Sequence, residues 1–284
     1  MTTTPGAWPT ASTRVVGVMG SPVGQSLSPV LHNAAFRALG LDWAYLAFEV
    51  PEGEATAAVS GARALGLEGL SVTMPHKEAV ADALDRLSPT AERLGAVNTV
   101  VRVGHALVGE NTDGWGFLEA LRQDLGFDPA GRRCLVVGAG GAARAVTLAL
   151  GGAGAAAVVV VGRSPERVAA AAELAGPAGR PGEEAEVADA ELVVNATPLG
   201  MAGLAPGPPV DPSLLGQGQL VADLVYHPPV TPLIEAARSR GATAVNGVSM
   251  LIHQAARAFR LWTGEEPPLE AMSAAALREL TGRG

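Results

Sequence analysis

This 284-residue chain has one cysteine, one lysine and few aromatic residues. Cys134 alone allows no disulfide within the chain and no cysteine-based zinc cluster, so a reducing, cytoplasmic setting and no metal are expected. Charged residues make up 17% and aromatics 4%, against 48% hydrophobic. That balance excludes a disordered chain. A net charge of -8 offers no basic surface for phosphate backbones, so no nucleic-acid partner is expected. No membrane span is expected either. Ala145–Gly162 runs 18 residues without a charge, but Gly151, Gly152 and Gly154 divide it. Its second part, Ala155–Val161, has the Ala/Val pattern of a strand buried on both faces. Met1–Ser12 is polar, lacks the charged start and apolar middle of a signal peptide, and reads as a loose tail.

The lysine count is informative in another way. Of 20 basic residues, 19 are arginine and one is Lys77. A compositional bias replaces lysine by arginine wherever charge alone matters. Arginine keeps its proton near neutral pH, whereas lysine can serve as acid or base. The count alone does not choose between bias and chemistry.

At 284 residues two domains are expected. Strand patterns at Arg14–Met19, Trp43–Val50 and Gly69–Met74 alternate with helical patterns at Pro29–Leu39, Glu52–Leu65 and Pro75–Leu84. This βαβαβ order implies a parallel sheet. Ala96–Val103 and Ala106–Gly109 flank Gly104-His105 as a hairpin, and Gly114–Leu125 reads as a helix. A second α/β unit starts at Arg133. Its strands are Cys134–Val137, Ala155–Val161, Leu192–Asn195, Leu220–Leu224 and Thr243–Asn246. Gly176–Glu184 reads as a loop and Ala202–Pro212 as a proline-rich connection. Helices Met250–Trp262 and Leu269–Leu280 close the chain.

Four constellations carry chemistry. Gly138-Ala139-Gly140-Gly141-Ala142-Ala143 leaves a buried strand and opens a helix, the context of a dinucleotide fingerprint. Glycines let the backbone approach a pyrophosphate, and the helix start offers free N–H groups. The next strand ends at Gly162-Arg163-Ser164, with Arg167 one turn later. A cofactor with a free ribose 2′-OH usually meets a carboxylate there. Two guanidiniums and a hydroxyl suit a 2′-phosphate and favour NADP over NAD. The second constellation is Gly20–Pro29, in which Ser28 before Pro29 reads as a helix N-cap. Ser21 and Ser26 remain for an anion such as a substrate carboxylate. The third, Ser71–Lys77, puts Thr73 and Lys77 at a sheet edge where ligands bind. His76 points about 100° away from Lys77 on a helix and reads as structural or solvent-facing. In the fourth, hairpin geometry brings Asn98 and Asp113 to one end; Asp113 also suits an N-cap. Lys77 paired with Asp113 can protonate the alkoxide of a reduced carbonyl.

These residues resemble the shikimate dehydrogenase family. The matching motifs are Gly24–Pro29, Val72–Lys77, Gly95–Thr99, Gly109–Gly114, Gly138–Arg144, Asn195–Met201, Asp223–Tyr226 and Gly247–Gln254, all in the family's order. The resemblance implies NADPH-dependent reduction of 3-dehydroshikimate to shikimate, toward chorismate and the aromatic amino acids. It implies Lys77 and Asp113 as the catalytic dyad. Ser26 and Ser28, with Tyr226, would hold the substrate carboxylate; Thr73, Lys77, Asn98, Asp113 and Gln254 would hold the ring hydroxyls. Gly138, Ala139, Gly140, Gly141 and Ala142 would cradle the pyrophosphate, with Arg163, Ser164 and Arg167 on the 2′-phosphate and Thr197, Gly247 and Met250 along the nicotinamide. The implied fold is α/β: a tail over 1–12, a substrate-binding and catalytic domain with a mostly parallel open sheet over 13–113 plus 250–284, and a Rossmann-like NADP-binding domain over 114–249. A monomer or homodimer is expected.

Two departures stand out. The chain has Gly162-Arg163-Ser164 where Asn-Arg-Thr is common, and Ser249 where glycine is common. Two other readings compete: a quinate/shikimate dehydrogenase using NAD, and a binding relative without catalysis.

Overall fold

The computed structural model describes residues 8–203 and 207–282. Residues 1–7 of the expected tail and 204–206 of the expected proline-rich connection lie outside them. The chain divides into two units, residues 1–112 with 255–284 and residues 113–254. The crossings fall at 112/113 and 254/255, where the sequence suggested 113/114 and 249/250.

The first unit is built on a six-stranded sheet: β1 (Arg14–Gly20), β2 (Trp43–Glu49), β3 (Gly69–Val72), β4 (Arg86–Leu87), β5 (Thr99–Val103) and β6 (Ala106–Glu110), in the order β2-β1-β3-β5-β6-β4. β1, β2 and β3 run parallel, as the βαβαβ pattern implies. β5 joins β3 antiparallel and forms a hairpin with β6. Helices α1 (Ser28–Leu39), α2 (Ala55–Ala64) and α3 (Pro89–Leu94) complete the first part of the chain.

On one face of this sheet Met19, Leu70 and Val100 share a core with Val59 of α2. Phe36 on α1 meets Phe259 with ring centroids 5.4 Å apart. Trp262 donates from Nε1 to the Val100 carbonyl at 2.9 Å. A Cβ on Gly69 would fall 2.2 Å from that indole nitrogen, so only glycine admits the ring. The closing segment thus returns to the first sheet. Its helices are α8 (Val248–Thr263) and α9 (Leu269–Gly282), and α9 packs on α1.

Several expectations are corrected here. The helix expected over Pro75–Leu84 is a series of turns ending in a 3-10 turn at Ala81–Ala83. Its backbone bonds are of mixed span, from His76 N–H to Thr73 O and from Val80 N–H to His76 O. Ser28 is not the cap of α1; that position is Leu27, and no side chain caps it. The end of the expected loose tail is tied down, since Thr10 and Ser12, with Thr13 beyond it, donate hydroxyl hydrogen bonds to Asp42.

The second unit carries β7 (Arg133–Val137), β8 (Ala157–Val161), β9 (Gly179–Pro181), β10 (Leu192–Asn195), β11 (Leu220–Asp223) and β12 (Thr243–Val245). All run parallel in the order β12-β11-β10-β7-β8-β9. Their unbroken apolar runs follow from burial on both faces. The segment expected as a loop at Gly176–Glu184 contains β9, and its proline is tolerated because the strand is an edge. Helices α4 (Asp113–Glu119), α5 (Gly141–Gly152), α6 (Pro165–Glu173) and α7 (Pro232–Ser239) belong to this unit. α4 continues as a π-helical turn over Ala120–Asp124. Among the described residues no helix is long and apolar enough to cross a membrane.

Candidate functional site

In the first unit the candidate side chains leave the carboxyl ends of neighbouring strands. β1 leads to Ser21, Ser26 and Ser28, β3 to Thr73 and Lys77, and Asn98 precedes β5. The loops are stitched together. Ser21 N–H donates to Met74 O at 2.9 Å, and Thr73 N–H to Met19 O at 3.0 Å. Val97 N–H donates to Lys77 O at 2.7 Å. A Cβ on Gly20 would lie 2.3 Å from Thr73 Cγ2, so glycine lets the two loops meet. His76 is the structural residue of its pair: it is buried, and Nε2 lies 2.8 Å from the Val50 carbonyl.

The serine loop differs in detail from expectation. Ser21 does not remain for an anion; its hydroxyl donates to Glu49 and helps hold that carboxyl below its ordinary range, together with Val23 N–H at 2.9 Å. Ser26 Oγ accepts from Ser28 N–H at 3.2 Å, which leaves its own proton to donate. Ser28 is buried beside Tyr45, and its hydroxyl is bonded to the Tyr45 hydroxyl. Tyr45 in turn donates to Ser71 Oγ at 2.8 Å, and burial pushes its pKa up. Tyr45 was not singled out by motif reasoning, and Ser71 opened a motif without being given a role. The available signal was a lone tyrosine in a strand otherwise apolar toward the core.

Asn98 is buried and, besides any ligand contact, bonds neighbouring groups of its own chain. Its Oδ1 accepts from Thr112 N–H at 2.8 Å and Thr99 Oγ1 at 2.9 Å, while Nδ2 donates to Thr112 Oγ1 at 3.0 Å. It precedes β5, where the expected strand Ala96–Val103 included it. Asn98 therefore fixes the residue before Asp113.

Asp113 is the first residue of α4 and of the second unit, and it is buried. Gln254 is the last residue of that unit. The two crossings pack closely on the second unit's side, since a Cβ on Gly116 would lie 2.5 Å from Gln254 N. Ser249, the departure from glycine, lies in helix α8 without positive φ. Its hydroxyl donates to Asp124 Oδ2, and His253 Nε2 lies 3.2 Å from the same oxygen. Asp124, on the π-helical turn, thus holds the stretch of α8 that carries Met250.

The carboxyl edge of the second sheet gathers the remaining candidates. Gly138 has φ +117°, and a Cβ there would sit 3.0 Å from Ala196 O and 3.1 Å from Thr197 Cγ2. The glycine loop therefore runs against the loop bearing Thr197. Gly140 and Gly141 face open space, with nothing within 4 Å of a built Cβ. α5 starts there without a side-chain cap and without an acidic residue in its first turn. Uncapped N–H groups beside an open glycine cradle fit a dinucleotide pyrophosphate. Arg163 and Arg167 are exposed past the end of β8. Ser164 is the N-cap of α6, its Oγ accepting from Arg167 N–H at 3.5 Å. The nearest following carboxylate, Glu166, lies within the first turn of α6 rather than at the strand end.

Thr197, Tyr226, Gly247 and Met250 follow β10, β11 and β12 at the same edge. A Cβ on Gly247 would lie 2.2 Å from Leu224 O, so the chain passes against the Tyr226 turn. Beneath them is a buried network of Asn195 and Asp223, which head two of the matching motifs but were given no role there. Asp223 and Asn195 end their strands fully buried, and Asn195 Nδ2 donates to Asp223 Oδ1 at 2.8 Å. A polar residue closing each of two apolar strands was the readable sign.

The chain is similar to known proteins along its length. A family model described as "Shikimate dehydrogenase substrate binding domain" matches residues 18–100. One described as "Shikimate 5'-dehydrogenase C-terminal domain" matches 247–277. A third, "NADP oxidoreductase coenzyme F420-dependent", matches 133–208. A shikimate dehydrogenase (NADP(+)) of Methanopyrus kandleri is 48% identical over 281 residues, covering 95% of this chain and 97% of the relative. A crystal structure of a shikimate dehydrogenase with NADP+ aligns with TM-score 0.90 at 36% identity, covering 95% of this chain and 97% of that one. The Thermus thermophilus shikimate 5-dehydrogenase, solved with NADP(H) and shikimate, aligns with TM-score 0.86 at 40% identity, covering 93% of this chain and 99% of that one.

Proposed function

The chain belongs to the shikimate dehydrogenase family, and on that premise we propose that it catalyses the reversible NADPH-dependent reduction of 3-dehydroshikimate to shikimate. The observation that carries the reading is the full-length identity to an NADP-dependent relative, joined to an open, uncapped glycine cradle followed by two arginines.

When bound, NADPH supplies the hydride. The protein supplies binding, orientation and a proton. Lys77 donates a proton to the carbonyl oxygen as negative charge develops there, and Asp113 is its partner. Lys77 suits this because an ammonium can pass a proton to a developing alkoxide, which a guanidinium does far less readily. Support for Asp113 comes from its buried place at a helix start, fixed one residue earlier by Asn98. Ser26 and Ser28, with Tyr226, hold the substrate carboxylate; Thr73, Asn98 and Gln254 orient the ring hydroxyls. Gly138–Ala142 receive the pyrophosphate. Arg163 and Arg167, with Ser164, take the 2′-phosphate, and Thr197, Gly247 and Met250 flank the nicotinamide. In reverse, Lys77 takes the proton back from the alcohol.

Turnover of shikimate and of quinate, each with NADP+ and NAD+, tests the assignment. Shikimate with NADP+ should give the highest kcat/KM. A preference for quinate with NAD+ would favour the related activity, and no turnover in any arm would make the protein a binding relative.

A further inference from the structure

Asp223 lies outside the assigned ligand contacts, yet it is the last residue of β11 and fully buried. Three donors converge on it. Oδ1 accepts from Asn195 Nδ2 at 2.8 Å and from Val225 N–H at 3.1 Å; Oδ2 accepts from Thr231 Oγ1 at 2.5 Å. An ionised carboxylate only accepts, so this is an environment made for the charged form. Burial acts in the other direction and outweighs these bonds, so the carboxyl's pKa stands above its ordinary value. Burying a charge is costly unless it is fully bonded, so a carboxylate here calls for a reason beyond packing.

The reason lies in what its partners carry. Asn195 Oδ1 accepts from Thr197 N–H at 3.0 Å and from the Thr197 hydroxyl at 2.7 Å. Asn195 Nδ2 also donates to Leu199 O at 3.1 Å. These bonds shape the loop that runs beside Gly138. Val225 stands one residue before Tyr226, and its carbonyl accepts from Gly247 N–H at 3.2 Å. Thr231 caps α7, its Oγ1 accepting from Ile234 N–H at 3.3 Å. One carboxylate thus ties together the loop bearing Thr197, the turn bearing Tyr226 and the start of α7.

We propose that Asp223, acting through Asn195 and Val225, is a positioning residue that sets Thr197 and Tyr226 for the bound ligands. It rests on the site assignment above. A misplaced group near the chemistry loses rate out of proportion to its own contact energy.

The test uses the full-length protein with Asp223→Ala, Asp223→Asn, Thr231→Val and Thr231→Ser. Three quantities are read: turnover, the shikimate Kd by calorimetry, and the Kd of adenosine 2′,5′-bisphosphate, which probes only the Arg163 end. Asp223→Ala should lower turnover by about 10- to 100-fold. Shikimate binding should weaken, while bisphosphate affinity stays at the wild-type value. Asp223→Asn keeps one acceptor for Asn195 and Val225 and should recover part of the loss. Should Asp223→Ala fail to fold, the Thr231 pair decides: the serine variant should match wild type, and the valine variant should lose turnover with bisphosphate affinity intact. Folded variants with wild-type turnover and shikimate affinity would overturn the proposal. So would bisphosphate affinity that falls in step with turnover. Wild-type turnover is a separate control: its absence would overturn the assigned activity, and the shikimate Kd series would still judge Asp223.

Discussion

In the first unit the strands behind the candidate site run both ways, with β5 antiparallel to β3; in the second all six run parallel. The two edges are also held differently. Backbone bonds between loops stitch the first, as from Ser21 to Met74 and from Val97 to Lys77. The second hangs its loops on the buried pair Asn195 and Asp223. The difference follows from the tasks assigned to each. A cofactor's pyrophosphate needs backbone N–H groups at a helix start, which a parallel strand-turn-helix supplies directly. Substrate chemistry needs particular side chains, and irregular turns set these at angles that a helix would not. Had Pro75–Leu84 been helical, Thr73 and Lys77 would leave their strand along one axis. The turns bury His76 against Val50 instead, while Lys77 is only half-buried.

If the proton donor Lys77 belongs to the first unit and cofactor choice to the second, substitutions at the two should separate. The largest effect is expected at Lys77. Lys77→Met should lower turnover by about 10²–10⁴-fold, the range for loss of a positioned acid-base group. Lys77→Arg should not restore it, because a guanidinium keeps the charge and holds its proton. NADPH affinity, read by fluorescence titration, should stay at the wild-type value in both. An arginine variant with near-normal turnover would reduce Lys77 to a point charge and break the division.

Arg163→Ala should do the converse. The KM for NADP+ should rise by about 10- to 100-fold, the equivalent of one charge-assisted hydrogen bond. The KM for NAD+ and turnover at saturating cofactor should change little. Equal responses to NADP+ and NAD+ would remove Arg163 from the 2′-phosphate.

A smaller effect concerns stability in the first unit alone. His32 is fully buried, stacked on Tyr45 with centroids 4.4 Å apart, and neither ring nitrogen has a hydrogen-bond partner. Burial lowers its pKa from 6.5 to about 3. The folded ring thus stays neutral where the unfolded chain takes up a proton. Its contribution is intact above about pH 6.5 and falls by about 1.4 kcal/mol per pH unit between there and about pH 3. His32→Phe should flatten this acid limb in thermal denaturation followed by tryptophan fluorescence, and leave stability at pH 8 little changed. An acid limb as steep as wild type would mean that His32 does not carry it.

The two units also differed in how far they could be read from sequence. The second unit's apolar strands and glycine loop were legible because burial on both faces and a tight turn each leave a local pattern. Arg163 was legible because its place follows from the strand before it. Thr73 and Lys77 were placed at one edge by strand order, and the hairpin brought Asn98 to the end where Asp113 lies; that the Asn98 amide bonds Thr112 was not legible, because spacing fixes the backbone's return and not which side chain meets which group. Ser28 shows the limit clearly: Ser-Pro signals a cap, yet its hydroxyl bonds Tyr45, which is distant in sequence and adjacent only once β1 and β2 pair. β9 was hidden by its proline and glycine, which an edge strand tolerates.

The central claim is that a hydride passes directly between NADPH and the substrate ketone in this protein. NADPH carrying deuterium at both C4 positions, incubated with 3-dehydroshikimate and the enzyme, tests it by mass spectrometry of the product. Shikimate one deuterium heavier, labelled at the former carbonyl carbon, is the predicted result; shikimate without label would contradict it.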